Sequence, residues 1–322
     1  MIFIDECTNR YVAKMAIADL LPQLLFNSVV SGSVFALATV GFSLTYSILK
    51  FPNIAQAAFI TFGAYFAYTA SSVWGLGFGL GILGAFLATG ILGALSYVVI
   101  FRPLGRKVSG FVAPTVASVG YGLALTFIMQ QIWGRDLLLF STIFDAFSLG
   151  PMRTNWLWNT TIVFTLVVVV AMHYILSRTK FGAAMRGTSS NPDLVRASGI
   201  HVDRVIIFVW FLGSALAGAA GVFLAGQNGV TSVLGSNMLV TVMAVAIFAG
   251  IGSFYGVIAA AYILSFAQNL SIPVLLSIGQ PSFYSIAVAY GVVIATLLFF
   301  PRGISGTGPK VESLIAKMRK VV

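Results

Sequence analysis

The sequence predicts an all-α fold, a polytopic transmembrane bundle of about eight or nine spans, and three observations carry that prediction. The first is a run of 97 residues, Val205 to Pro301, without one Asp, Glu, Lys, Arg or His. A helix crosses the hydrocarbon core with about 20 apolar residues, so repeated passage through lipid accounts for a run of this length. The second is composition: 59% of the residues are hydrophobic, 8% are charged, and mean hydropathy is +0.99. The third is the spacing of the apolar runs, which fall at 22–49, 54–72, 77–101, 111–133, 159–177, 205–227, 237–251, 256–272 and 283–300.

Taken in order, these runs give three units: an N-terminal segment over 1–21, a transmembrane domain over 22–304 and a basic tail over 305–322. The first 21 residues carry Asp5, Glu6 and Asp19 against Arg10 and Lys14, which is not the basic start of a cleaved signal peptide, so they are expected to stay and to lie outside the membrane. With Arg102, Arg106 and Lys107 placed in the cytoplasm and sides alternating, Lys50, the 178–204 loop and the tail fall there too. By that assignment 14 of the 18 Lys and Arg are cytoplasmic, leaving Arg10, Lys14, Arg135 and Arg153 outside. This is the asymmetry of the positive-inside rule. The net charge of +10 is then explained by topology and anionic membrane lipid, with no need for nucleic acid. Two segments, Phe51 to Ser72 and Asn237 to Ile251, are open to a re-entrant reading; one turning back alone would move the N-terminus to the cytoplasm.

Small residues sit where helices would touch, as in Ser28, Gly32 and Ala36 on one face, and spacing by four permits close approach in lipid. The glycines between Gly75 and Gly84 lack the lysine and strand of a phosphate loop and read as a flexible helix entry.

Charge placement narrows function. Proton- and ion-coupled carriers put ionisable groups at the membrane midplane, whereas all eight acids here fall in loops or tails. His173 lies near the end of an apolar run and reads as interfacial, and His201 lies in a loop. An intramembrane enzyme would need a catalytic acid, base or nucleophile pair within the spans, and none is expected; nor is a metal site or a cofactor. The lone Cys7 allows no internal disulfide.

Two groups of residues point to transport. The loop SRTKFGAAMRGTSSNPDLVRASGIHVDR, from Ser177 to Arg204, is the strongly polar internal segment. Ser190 or Asn191 can cap a short helix begun by Pro192 and running through Asp193, Leu194, Val195, Arg196 and Ala197 to a stop at Gly199. A docking element and an ordinary solvated loop are equally compatible with that pattern. The amides Asn53, Gln56, Gln227, Asn228, Gln268 and Asn269 lie in or beside apolar spans, where an unpaired amide is costly. Each is a candidate for lining a solute path or for bonding a neighbouring helix. Pro52 ahead of Asn53 and Gln56 favours an exposed helix N-terminus able to receive a carboxylate.

From about Leu20 to Gly306 the chain resembles the permease subunits of branched-chain amino acid ABC transporters, a group that includes urea and short-chain amide importers. The match rests on Gly182, Arg186, Asn191, Asp193, Gly199, Ile200, Val202, Asp203 and Arg204 in the polar loop. Ala249, Gly250, Gly252 and Gly256 stand for a late glycine signature, read as helix packing. Arg102-Pro-Leu104 and Pro301-Arg-Gly-Ile304 also echo family patterns. Two departures stand out. Asn53-Ile-Ala55-Gln56-Ala57 has an amide where the family commonly has histidine, and Ala249 replaces the signature's first glycine. The resemblance implies a bacterial inner-membrane permease without chemistry of its own. Its implied partners are a second, homologous permease chain, two cytoplasmic ATPase subunits that hydrolyse ATP and a periplasmic substrate-binding protein. The segment from Asn191 to Ile200, with Gly182, Arg186, Asp193 and Arg196, would transmit ATPase closure to the bundle. Branched-chain amino acids, other apolar amino acids, urea and amides remain open as solutes, as does an ATPase-independent facilitator.

Overall fold

The computed structural model describes residues 2–107, 110–140, 146–149, 152–250, 252–299 and 303–305, with side chains described from Leu20 onward apart from 106, 146 and 149. The tail expected over 305–322 lies outside the described residues from 306 on. Among the described residues seven helices are long and apolar enough to cross a membrane, and an eighth, shorter apolar helix spans Leu234–Ala249.

The first helix, α1, runs Ile2–Leu49, so the N-terminal segment continues the helix of the first span. After an irregular stretch come α2, Gln56–Tyr68, and a π-helical turn, Thr69–Val73. Gly75 and Gly77, at φ +67° and +80°, turn the chain into α3, Phe78–Ser96, as the expected flexible entry. A second π turn, Tyr97–Phe101, leads into α4, Arg102–Lys107. Helix α5 spans Val112–Trp133. A small antiparallel hairpin follows, β1 at Ala146–Leu149 paired with β2 at Met152–Asn155, with Ala146 opposite Asn155. Asn155 then caps α6, Trp156–Arg178, by accepting from the Trp158 N–H at 2.8 Å. The loop helices α7, Lys180–Ser190, and α8, Pro192–Ala197, precede α9, Val202–Asn228. Helix α10 is Leu234–Ala249, α11 Phe254–Ser277 and α12 Ser285–Phe299.

The apolar runs therefore become nine helical segments among the described residues, ending within a few residues of the predicted limits except where α1 and α11 run on. Contacts fix which ends lie together. Lys50 reaches Ser189, Arg102 pairs with Asp203, and the Ile304 N–H donates to the Phe248 carbonyl at 2.9 Å. These define a basic end. At the opposite end Gln23 accepts from the Arg153 N–H at 2.7 Å, the Trp133 indole donates to Thr69, and Leu138 bridges Val230. Every segment, the two short ones included, leads from one end toward the other.

Helix α9 is the mast of the bundle, with 83% of its membrane window buried, and small residues explain why. A Cβ at Gly41 would strike the Gly213 carbonyl, one at Gly63 the Gly218 backbone, one at Gly221 the Ile60 carbonyl and one at Gly93 the Ser214 hydroxyl. Lipid supplies no hydrophobic drive between helices, so backbone approach of this kind does the packing. The Ser28–Gly32–Ala36 face meets α11: Ser265 donates to the Ser28 carbonyl at 2.7 Å and Gly32 lies under the Tyr262 ring.

Candidate functional site

Phe51 to Ala55 is irregular backbone, yet Phe51, Asn53 and Ala55 are buried, and Gln56 opens α2 beside Gly41 and Gly213. Gly41 lies eight residues before the end of α1, so α2 begins about 12 Å inside the basic end. Non-helical backbone at membrane depth persists only when protein encloses it or it lines a cavity. Here protein does so: the Ile54 N–H donates to Ser118 at 3.1 Å, and the Gln56 Nε2 donates to the Gly213 carbonyl at 3.1 Å. Both polar atoms of the Asn53 side chain and the Gln56 Oε1 remain buried without a hydrogen bond. Below them, toward the basic end, Phe51 stacks on Phe101 at 5.8 Å, and Phe101 lies 4.6 Å from Trp210.

Helix α10 also starts inside the bundle. The Gly235 N–H donates to the Thr61 hydroxyl at 3.0 Å, and Gly235 lies against the Ala57 carbonyl. Two interrupted helices, one entered from each end, thus meet through their first turns. Next to Gly235, Ser236 and Asn237 are exposed. Sequence reading passed over both, although the short apolar run after Gly229 is the signal that points to them.

The six amides do not converge. Asn53 and Gln56 share the α2 entry. Gln227 and Asn228 are exposed at the far end of α9, and Gln268 and Asn269 are half-buried on α11, where the Asn269 amide donates to the Ser265 carbonyl at 2.9 Å. On α1 the Ser28 and Gly41 levels that mark the α11 and α2 amides are 13 residues, about 20 Å, apart.

The polar loop folds as its sequence predicts around Pro192. Asn191 accepts from the N–H groups of Asp193 and Leu194, both at 3.1 Å, Pro192 occupies the first turn, and Gly199 takes φ +81°. Arg196 pairs with Asp193 at 2.8 Å. The preceding helix α7 was not foreseen. Thr179 caps it by accepting from the Gly182 N–H at 3.1 Å, a Cβ at Gly182 would strike the Ile175 and Leu176 carbonyls, and Arg186 donates to the Leu176 carbonyl. Val195 is buried against Gly187, which leaves Leu194 66% exposed and Ile200 41% exposed beyond the bundle's basic end.

Of the late glycines, Gly256 packs α11 on the Ala249 carbonyl at the end of α10, and the other two serve the turn. Gly250 and Gly252 take φ +85° and +93° in the turn between α10 and α11. Gly256 leaves room for Ser305, and the Ser305 N–H donates to the Ala249 carbonyl at 3.1 Å. Their backbone freedom builds a cradle for the residues after α12, so two motifs far apart in sequence form one joint. His173 bonds Tyr255 at 2.6 Å at an exposed position, as an interfacial imidazole does.

The family model described as "Branched-chain amino acid transport system / permease component" matches residues 24–300. The chain belongs to that family. Relatives match along nearly the whole permease. The "Probable branched-chain amino acid transport permease protein LivH" of Methanocaldococcus jannaschii is 27% identical over 92% of this chain and 96% of its own. The high-affinity branched-chain amino acid transport system permease protein LivH of Escherichia coli K12 is 26% identical over 91% and 97%. An autoinducer 2 import system permease protein, LsrC of Yersinia enterocolitica, is 29% identical over 48% of this chain and 41% of its own. Among solved structures, a chain of PsaBC from Streptococcus pneumoniae in complex with Fab superposes with a TM-score of 0.54 at 16% identity, covering 94% of this chain and 99% of that one, a likeness of fold. The permease is thus a multi-pass membrane protein of a transport family.

Proposed function

We propose that the permease is the membrane subunit of an ABC importer carrying branched-chain or other apolar amino acids across a bacterial inner membrane. Two separate ATPase subunits drive it, a second permease chain completes the pathway, and a periplasmic binding protein delivers the solute. The observation that carries this reading is α8. It is capped at Asn191 and anchored through Val195, with Arg196 turned to the basic-end cavity and Leu194 exposed beside the Asp193–Arg196 pair. An apolar knob on a braced helix outside lipid serves a protein partner, and rigid-body displacement of such an element is a recurrent route for transmitting closure. Full-length similarity to branched-chain amino acid permeases favours amino acids over urea or amides.

The test is ATP hydrolysis and solute uptake by the reconstituted complex, with and without loaded binding protein. Val195→Pro removes a helix bond and clashes with the preceding turn, at about 3 kcal/mol, and Leu194→Glu puts charge on the knob. Both variants are expected to assemble the bundle and lose stimulated uptake. Wild-type stimulation and uptake in both would return the loop to solvent and favour an ATPase-independent facilitator.

A further inference from the structure

At the basic end a cavity of about 680 Å³ opens between the foot of α1, Gly105 of α4, the start of α5 and the first turn of α9. Lys50, Arg102 and Arg196 line it against a single carboxylate, Asp203, and Phe51 and Phe101 form its floor. Asp203 answers Arg102, and Asp193 answers Arg196. Lys50 reaches the neutral Ser189 hydroxyl at 3.3 Å, so the wall keeps an excess of positive charge. The Arg102 Nε is buried without an acceptor, a donor whose burial is costly unless something accepts from it. Lys50 is also the non-glycine residue with positive φ, +57°, among the described residues. There it closes α1 as a left-handed cap, its N–H donating to the Tyr46 carbonyl at 2.9 Å. The mouth is lined by Phe111, 65% exposed at the start of α5, a span with only 22% of its membrane window buried. Cations, buried aromatic rings and an exposed aromatic side chain at the rim together fit an anionic amphiphile.

We infer that this cavity binds the phosphate headgroup of an anionic phospholipid of the cytoplasmic leaflet, with Lys50 and Arg102 on the phosphate and the acyl region leaving past Phe111. The inference uses the orientation of the basic end, and it shares one wall residue, Arg196, with the helix proposed for ATPase coupling, while its test reads lipid binding alone. It is tested with the native complex in phosphatidylcholine nanodiscs, titrated with short-chain phosphatidylglycerol and read by native mass spectrometry. Saturable binding that weakens with salt is expected. Lys50→Gln, and Lys50→Asn, which tolerates the left-handed backbone, should each lower affinity about fivefold. Lys180→Gln, an exposed cation at the same end outside the cavity, should leave affinity unchanged. Equal losses in the Lys180 and Lys50 variants, or no loss in either Lys50 variant, would overturn the site. Displacement of the lipid by inorganic phosphate at matching concentration would make it a site for free phosphate and overturn the lipid assignment.

Discussion

Gln56 illustrates what one residue carries at membrane depth. Its amide nitrogen is bonded to Gly213 while its oxygen, with both ends of Asn53, has no hydrogen-bond partner in a buried site. Replacing Gln56 by Leu loses a hydrogen bond of about 1 kcal/mol and also removes an unanswered acceptor, so stability of the purified complex should move by about 1 kcal/mol or less. If the amides serve the solute when the path opens, Asn53→Leu and Gln56→Leu should lower uptake while assembly with partner subunits, read by co-purification, is kept. Normal uptake in both would make them packing residues. Sequence identified both positions because Pro52 and apolar neighbours flank them. It did not reveal their depth, which depends on Gly41 and Gly213 letting α1 and α9 close around the entry. Ser236 and Asn237 were missed for a related reason: their exposure follows from where α10 begins, and that is set by Gly235 against Ala57, a contact distant in sequence.

At the scale of elements, one side chain ties the interrupted start of α10 to α2. Thr61 accepts from the Gly235 N–H and donates to the Ala57 carbonyl at 3.2 Å. Thr61→Val keeps the shape and strands a buried N–H, which costs about 1–3 kcal/mol; a lowered melting temperature is expected, with full recovery in Thr61→Ser. Helix α8 was legible because its start and stop are local chemistry, Asn191 and Pro192 at one end and Gly199 at the other. Helix α7 was not, since Gly182, Ala184, Met185 and Thr188 make a buried face too small to register as an apolar run, and tertiary contact with the end of α6 completes it. The cap gives a graded version of the coupling test. Asn191→Ala removes the acceptor for two N–H groups, costs about 1 kcal/mol, and should reduce stimulated ATP hydrolysis without abolishing it, whereas Asn191→Asp should retain it.

Across the whole molecule, orientation follows from joining charge to contact. Lys50, Arg102 and the α7–α8 loop share one end, and Gly303 and Ile304 join them through the α10–α11 turn, while Arg153 meets Gln23 at the other. The contacts make these groupings independent of any span count, and either short segment turning back would have broken them. We propose the basic end as the cytoplasmic one from its excess of Lys and Arg, an insertion bias that acts within about 15–20 residues of the spans. The decisive measurement uses intact cells and an impermeant thiol reagent, in a Cys7→Ser background that removes the sole native cysteine. Ser148 on β1 and Ser198 after α8 are both exposed, so accessibility reports the side rather than burial. Ser148→Cys should be labelled, and Ser198→Cys should be protected until the membrane is permeabilised. The reverse pattern would put α8 on the side without ATP and remove the ground for coupling and for a cytoplasmic-leaflet lipid together, because both require the basic end to face the cytoplasm.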